Sequence, residues 1–213
     1  QHRLKDLPHP EHLYDLVIAS LTADFPPPRT LEVPSNLPAQ LTSFVGREAQ
    51  VALVRTLLAG TRLLTLTGLG GTGKTRLALR VADEVSGEFP DGTFFVDLAP
   101  VTDPPLVIAT IATTLQVREE GWERPVREAL VDYLRDRRLL LLLDNFEQVL
   151  DAAALVPELL ARAPTLTILV TSRAPLRVRG EQVVSIPPLE VPDPGVRQGL
   201  EQVAQVEAVA LFA

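Results

Sequence analysis

One eight-residue segment, Gly68–Thr75, constrains the fold of this 213-residue chain more than any other stretch. It reads Gly-Leu-Gly-Gly-Thr-Gly-Lys-Thr. The run before it, Leu63–Thr67, is mostly apolar and predicts a short strand. In the run after it, Arg76–Val85, apolar residues recur at helical spacing. A strand, a glycine-rich turn and a helix in this order favour an α/β fold with a site for phosphate at the turn.

The spacing of the octet fits G-x-x-x-x-G-K-[ST], a phosphate-binding pattern. Glycines let the backbone curl until successive N–H groups point at phosphate oxygens, and the helix that follows adds its positive dipole end. Lys74 can reach the β- and γ-phosphates, and the Thr75 hydroxyl can ligate Mg²⁺. A turn without a ligand would explain the glycines but not the adjacent Lys-Thr. The candidate phosphate-binding residues are Gly68, Gly70, Gly71, Thr72, Gly73, Lys74, Thr75 and Arg76.

A second element of the site is the apolar run Leu139–Leu143, which ends in Asp144. A continuous apolar run is typical of a parallel strand that is buried on both faces. Ligands of open parallel sheets bind outside the carboxyl ends of the strands, so Asp144 should lie beside the glycine loop. Thr75 and Asp144 are therefore the predicted magnesium ligands, with Asp144 acting through a water.

The residue after Asp144 is Asn145, where many P-loop ATPases have an acid that activates the attacking water. An amide cannot accept that proton, so we expect hydrolysis to be slow or to require a partner. Glu147 could substitute as the base. Alternatively, Asn145 only caps the helix that follows.

Thr171-Ser172-Arg173 closes the next predicted strand. Arg173 would then face the γ-phosphate and could report whether that phosphate is present. An alternative of equal weight makes it a surface arginine in a solvated loop with Arg177 and Arg179. Together with Lys74, Asp144 and Glu147, Arg173 completes the predicted catalytic set.

Strands and helices alternate along the rest of the chain, which predicts an α/β fold with a mainly parallel five-stranded sheet flanked by helices. Residues 1–25 are predicted to form an N-terminal extension of their own. The proline-rich stretch 26–40 reads as an extended linker. Residues 41–213 should form the nucleotide-binding domain.

Composition excludes several classes of protein. A net charge of −7 with a pI near 5.0 argues against direct nucleic-acid binding by the domain as a whole. The chain lacks cysteine and has no apolar run of the ~20 residues that a membrane span needs, which fits a cytoplasmic protein. It starts at Gln1 and contains no methionine, so we expect it to be part of a longer protein.

From about Leu37 to Phe212 the chain resembles the STAND class of signalling NTPases, in its NB-ARC-like bacterial branch. The resemblance rests on Phe44–Glu48, the glycine loop with its Lys-Thr-Arg-Leu-Ala continuation, Leu142–Glu147 and Thr171–Arg173. In that family the stretch matching Val45, Gly46 and Arg47 lies against adenine and ribose. The arginine matching Arg173 senses the γ-phosphate, and an Asp-Asn pair is familiar in the bacterial branch.

The resemblance implies an ATP/ADP switch. ADP would hold a closed resting form, and exchange for ATP would open it and drive oligomerisation through further domains of the same chain. The helical and winged-helix domains of the family, with the Gly-x-Pro motif that closes over the nucleotide, would follow residue 213. Residues 1–17 resemble the last strand of a class III adenylate/guanylate cyclase domain, although they carry none of its metal or base residues.

Two other functions stay open on the sequence. An AAA+-type ATPase, acting as a motor or nucleic-acid loader, usually needs an acid after Asp144 and an arginine finger. Arg118, Arg124 or Arg127 could supply the finger. A non-hydrolysing scaffold held together by bound ADP is the third interpretation.

Overall fold

The structure is a computed structural model that describes residues 34–40, 42, 44–117, 125–189, 191–192 and 207–210. The extension predicted for residues 1–25, with its cyclase-like motif, lies outside the described residues. Arg118 and Arg124, two of the candidate fingers, also lie outside them. Within the described parts of the chain, no helix is long and apolar enough to cross a membrane.

Five parallel strands form one sheet with the order β2-β3-β4-β1-β5. Their bounds are β1 Leu63–Thr67, β2 Thr93–Asp97, β3 Leu140–Asp144, β4 Thr167–Ser172 and β5 Gln182–Ser185. Every residue of β1, β3 and β4 is buried, because these three strands lie inside the sheet with helices on both faces. The predicted α/β fold with a parallel five-stranded sheet is therefore confirmed.

Helices cover both faces of the sheet. Their bounds are α1 Glu48–Gly60, α2 Lys74–Glu84, α3 Leu106–Thr114, α4 Val126–Leu134, α5 Leu155–Arg162 and α6 Glu207–Ala210. Strand β3 shows why two layers are needed. Leu140 and Leu142 pack in the core of α1 and α2, whereas Leu141 and Leu143 pack in the core of α3, α4 and α5. This alternation follows from the period of two along a strand.

The connection after β3 is irregular. The chain first forms a 3₁₀ segment, Phe146–Ala152, with a kink at Val149, and α5 then begins at Leu155. Phe146 is fully buried and anchors the 3₁₀ segment to the core. Pro157 lies in the first turn of α5, where its missing N–H costs nothing.

Residues 34–36 extend the sheet at the edge of β2. The N–H of Thr93 donates to the carbonyl of Pro34 at 2.9 Å, and Ser35 pairs with Thr93 in a parallel bridge. The Asn36 side chain continues the pattern, since its Nδ2 donates to the Phe95 carbonyl at 2.8 Å and its Oδ1 accepts from the Phe95 N–H at 2.6 Å. This part of the predicted linker is thus extended but attached to the sheet, where it protects an exposed edge.

Candidate functional site

The glycine loop connects the carboxyl end of β1 to the first turn of α2. Gly71 and Gly73 have φ values of 78° and 81°, a region that L side chains rarely adopt. Gly68 is restricted in another way, because a Cβ there would lie 2.5 Å from the carbonyl oxygen of Ile186 at the end of β5. The loop therefore curls at two glycines and lies against β5 at a third.

Lys74 lies over the curled loop. Its side chain is buried, and its Nζ donates to the carbonyl oxygens of Gly68 at 3.0 Å and of Leu69 at 2.8 Å. The Thr72 hydroxyl also donates to the Leu69 carbonyl, at 3.0 Å. The loop thus holds its single ammonium group at the point where β- and γ-phosphate oxygens would bind.

Asp144 ends β3 beside the loop and is surrounded by hydrogen-bond donors. Its Oδ1 accepts from the hydroxyls of Thr75, at 2.8 Å, and of Thr171, and its Oδ2 accepts from Nδ2 of Asn145 at 2.9 Å. Burial raises the pKa of Asp144. The two threonine hydrogen bonds oppose this rise, and the charges of Asp97 and Glu147 add to it.

This donor set fits a magnesium ion. A hydroxyl and a carboxylate are oxygen ligands of the kind that Mg²⁺ prefers, and Thr75 and Asp144 lie in direct contact. A cation here would also oppose the effects of burial and of the charges on Asp97 and Glu147, which raise the pKa of Asp144. Among the described residues no group of three or more histidine, cysteine or acidic side chains could hold a metal. Mg²⁺ bound through one or two protein ligands completes its shell with water and substrate phosphates.

Asn145 occupies the N-cap position, directly before the 3₁₀ segment, with a left-handed φ of 59°. Its side chain makes no capping hydrogen bond but bonds to Asp144, so it does not cap that segment through its side chain. Its backbone N–H donates to the Thr171 hydroxyl at 3.1 Å, which ties the ends of β3 and β4 together. Asn145 thus orients the strand-end carboxylate.

Glu147 and Arg173 form an ion pair at the same end of the sheet. Arg173 Nε donates to Glu147 Oε1 at 3.0 Å. The guanidinium also lies against the glycine loop, since a Cβ at Gly70 would be 3.7 Å from its Nη2. Arg173 is therefore largely exposed and also lies beside the phosphate loop. Its position fits in part both alternatives from the sequence, a residue that faces the γ-phosphate and a surface arginine.

A cavity of about 400 Å³ opens from the glycine loop toward α1. Its lining combines the loop, the segment before α1, the segment after β5 and α6. The lining residues are Phe44, Val45, Arg47, Leu69, Gly70, Gly71, Thr72, Gly73, Arg76, Pro188, Leu189, Val191 and Ala208. The far end of the cavity is mostly apolar, and its size is within the range of small-molecule sites.

Arg47 is the main polar side chain at this far end. Both Gly46 and Arg47 have positive φ, 70° and 66°, and this bend starts α1. The Arg47 side chain is buried, and its Nη2 donates to the Pro187 carbonyl at 2.7 Å. It therefore connects the start of α1 to the segment after β5, 140 residues away. Val45 and Arg47 line the cavity, while Gly46 supplies the bend between them.

Arg76 lies in the first turn of α2 and lines the same cavity. Its Nη2 donates to the Thr42 carbonyl at 3.1 Å, and its own carbonyl accepts from Gln40 Nε2 at 3.3 Å. These contacts hold the chain before α1 beside the glycine loop. The third candidate finger, Arg127, instead pairs with Glu158 at 2.7 Å, and both side chains are partly exposed.

Sequence reasoning missed two groups of residues at the site. Thr171 was assigned to a strand, yet its hydroxyl contacts Asp144 and the Asn145 N–H. The segment Pro187–Leu189, which closes the cavity, was not predicted to bind anything. A signal existed for both, because each lies at or after the carboxyl end of a strand that neighbours β1.

Comparisons with known proteins agree with this site. Residues 57–178, more than half of the chain, match the AAA domain family. A putative HTH-type transcriptional regulator of Mycobacterium tuberculosis is 43% identical over 155 residues, which are 72% of this chain and 17% of the regulator. The regulatory protein AfsR of Streptomyces griseus is 35% identical over 164 residues, 71% of this chain and 16% of AfsR. The chain thus spans only a small part of either relative.

Among solved structures, Cdc6p from Pyrobaculum aerophilum superposes with a TM-score of 0.53 at 18% identity, over 73% of this chain and 48% of that one. At this identity the likeness concerns the fold alone. The family match, the phosphate loop and the parallel sheet agree, and the chain belongs to the AAA domain family as an AAA-type P-loop ATPase domain.

Proposed function

We propose that this domain is an ATP/ADP-binding regulatory switch of a signal-transducing NTPase, with slow magnesium-dependent hydrolysis. One observation carries the proposal. Lys74 lies over the glycine loop and Thr75 bonds to Asp144, but the residue after Asp144 is an amide that also bonds to Asp144. Such a site can hold a triphosphate firmly and lacks the usual base beside the strand end.

Each end of the nucleotide has its own group of residues. The loop N–H groups, Lys74 and Thr75 would take the phosphates, and Arg76 would border them. The apolar end of the cavity, with Val45 and Arg47, would take adenine and ribose. Mg²⁺, held by Thr75 and Asp144 with phosphate oxygens, would neutralise charge on the β- and γ-phosphates.

Two further lines support a regulatory role. The relatives named above are a transcriptional regulator and a regulatory protein. The motifs at Phe44–Glu48, Leu142–Glu147 and Thr171–Arg173 resemble those of STAND signalling NTPases. We therefore propose a cytoplasmic protein whose further domains read the nucleotide state, with nucleotide-dependent assembly into a homo-oligomer and no direct nucleic-acid binding by this fragment.

A single-turnover assay tests this function: excess protein is mixed with trace labelled ATP and Mg²⁺, and bound label and ADP are followed over hours. A switch predicts stable binding and conversion at about 10⁻² s⁻¹ or slower, the range of switch GTPases without a partner protein. Removing Mg²⁺ with EDTA should stop conversion. Asp144→Ala should weaken binding of Mg-ATP more than binding of ADP without magnesium.

The outcomes separate the alternatives. Conversion at ~1 s⁻¹ or faster would contradict the switch and indicate a working ATPase motor or loader. Binding of ADP without any binding of ATP would support the non-hydrolysing scaffold. The Arg80→Ala variant is the matched control for surface charge, because Arg80 lies on α2 and pairs with Glu84, one turn along the same helix.

A further inference from the structure

The surroundings of Glu147 differ from those that a general base needs. Its side chain is only 13% exposed, and one carboxylate oxygen, Oε1, is bonded to Arg173 Nε. The other oxygen, Oε2, is fully buried and has no hydrogen-bond partner among the described residues. A base must lie within hydrogen-bond reach of the water that it activates, but Oε2 is closed to solvent and Oε1 is already bonded to the Arg173 guanidinium.

The orientation of Arg173 explains what this contact does. Glu147 binds the guanidinium through Nε, on one edge of the planar group. The three guanidinium atoms nearest to Gly70 of the phosphate loop are Nη2, Cζ and Nε, at 3.7, 3.8 and 3.9 Å from a Cβ built at that glycine. A guanidinium carries five N–H donors in a fixed plane, so a bond at Nε fixes the orientation of the whole group. The ion pair thus holds the guanidinium, with its Nη2 donors, beside the loop.

The fold keeps Glu147 in place from behind. Asn145 turns the chain with its left-handed φ, and the neighbouring Phe146 is fully buried in the core. Glu147 therefore begins from a rigid backbone, whereas the Arg173 side chain is 65% exposed. A long exposed side chain loses conformational entropy when it is ordered. An ion pair with a fixed carboxylate orders Arg173 before the nucleotide binds, so less entropy is lost on binding.

We infer that Glu147 is a positioning residue that holds the Arg173 guanidinium over the phosphate loop and so sets the preference of the domain for ATP over ADP. This inference rests on the proposed function and assigns Glu147 a different role from that of the base. A guanidinium held at this place can contact the γ-phosphate of ATP. ADP lacks that phosphate and would not make this contact. Loss of the carboxylate would release Arg173 into solvent and reduce only the affinity for the triphosphate.

The test measures dissociation constants of ATPγS and ADP, both with Mg²⁺, by isothermal titration calorimetry. Arg173→Ala should raise the dissociation constant of ATPγS about tenfold, as expected for the loss of a charge-assisted hydrogen bond. The dissociation constant of ADP should stay within about twofold of the parent value. Glu147→Ala should approach the same loss, and Glu147→Gln, which keeps a neutral acceptor for Nε, should lose less. The double variant Glu147→Ala/Arg173→Ala should lose no more than Arg173→Ala alone.

Two matched controls lie beside the pair. Gln148→Ala changes the exposed neighbour of Glu147, and Arg179→Ala removes an exposed arginine from the loop that follows Arg173. Both should bind ATPγS and ADP like the parent. Thermal unfolding of each variant checks that the domain is folded at the temperature of the titration, and Glu147→Gln, the most conservative change, keeps the test valid if Glu147→Ala unfolds.

Hydrolysis separates positioning from base catalysis. At saturating ATP, Glu147→Gln should keep the rate of conversion within about tenfold of the parent rate, whereas loss of a general base would lower it by about 10²–10⁴-fold. A large loss of rate with an unchanged ATPγS affinity would overturn the inference and restore Glu147 as the base.

If Arg173→Ala lowers the ATPγS affinity but both Glu147 variants do not, the inference fails and the switch stands. If Arg173→Ala has no effect, the inference fails although nucleotide binding stands. If the parent binds no ATPγS, the proposed function fails and the inference with it.

Discussion

The two ends of the candidate nucleotide site are built in different ways. At the phosphate end, Lys74 and Thr75 come from the glycine loop itself, and their polar groups are already hydrogen-bonded to loop carbonyls and to Asp144. At the base end, the cavity is mostly apolar, and Arg47 joins segments that are 140 residues apart. The glycine loop with its lysine is a local structure that only Asp144 joins from a distance, whereas the whole base end exists only after the domain has folded.

This difference predicts how substitutions at each end should act. Those at the phosphate end should mainly change the affinity for the nucleotide, and those at the base end should also change the stability of the fold. Charged phosphates gain from a few fixed donors, so single side chains at that end should have large effects on affinity. Apolar contacts are spread over many residues, so each single substitution at the base end should lower the affinity by less. The three predictions that follow test this difference between the two ends.

The largest effect is expected at the phosphate end, from Lys74→Ala. This change removes the buried ammonium and leaves the Gly68 and Leu69 carbonyls without their shared donor. ATP affinity should fall at least ~100-fold, because a hydrogen bond to a charged group contributes about 1.5–3 kcal/mol and this group would face two phosphates. Equilibrium dialysis with labelled ATP measures it, with Arg80→Ala as the control. Parent-like binding by Lys74→Ala would show that the phosphate site is misplaced.

An intermediate effect is expected at the base end, from Arg47→Ala. It deletes a buried side chain and its bond to the Pro187 carbonyl, so the segments that enclose the cavity should separate. ATP and ADP affinities should fall together, by about tenfold, and urea unfolding should show a loss of about 2 kcal/mol. Arg55→Ala is the control on the same helix, because it removes only a surface ion pair with Glu84. A fall in ATP affinity alone would contradict the assignment of Arg47 to the base end.

The smallest effect on the site is expected from Asn36→Ala, which touches neither end. The variant loses two hydrogen bonds to the Phe95 backbone at the exposed edge of β2. The free energy of unfolding should decrease by about 1 kcal/mol, and nucleotide affinity should not change. Urea denaturation and titration with ADP measure the two quantities, with Thr165→Ala as a control that loses one exposed hydrogen bond to the Arg137 carbonyl. A changed affinity would show that the sheet edge is coupled to the site.

The sequence predicted the strands well because their patterns are dictated by burial. The leucine run before Asp144 predicted a strand buried on both faces, and the observed β3, Leu140–Asp144, differs from that run by one residue at its start. The connection after β3 was not predicted, because no periodicity marks a 3₁₀ segment with a kink at Val149 before α5 begins at Leu155.

The phosphate end could be predicted because a chemical pattern of eight adjacent residues determines it. The glycines were expected from the need for positive φ, and Gly71 and Gly73 have it. The role of Thr171 could not be predicted, since only the parallel pairing of β3 with β4 brings its hydroxyl to Asp144. The same holds for the Glu147–Arg173 pair, whose members are 26 positions apart.

Four features could be read from the amino-acid sequence alone: the α/β class, the glycine loop, the cation at Lys74 and the carboxylate at the end of a buried strand. Each of them depends on neighbours within a few positions. The contact of Arg47 with Pro187, and the place of Arg173 between Glu147 and the loop, required the folded structure. The two groups of features differ in the range of the interactions that produce them. Backbone geometry and burial period are local properties of a chain, whereas the partner of a long charged side chain is set by the packing of distant segments.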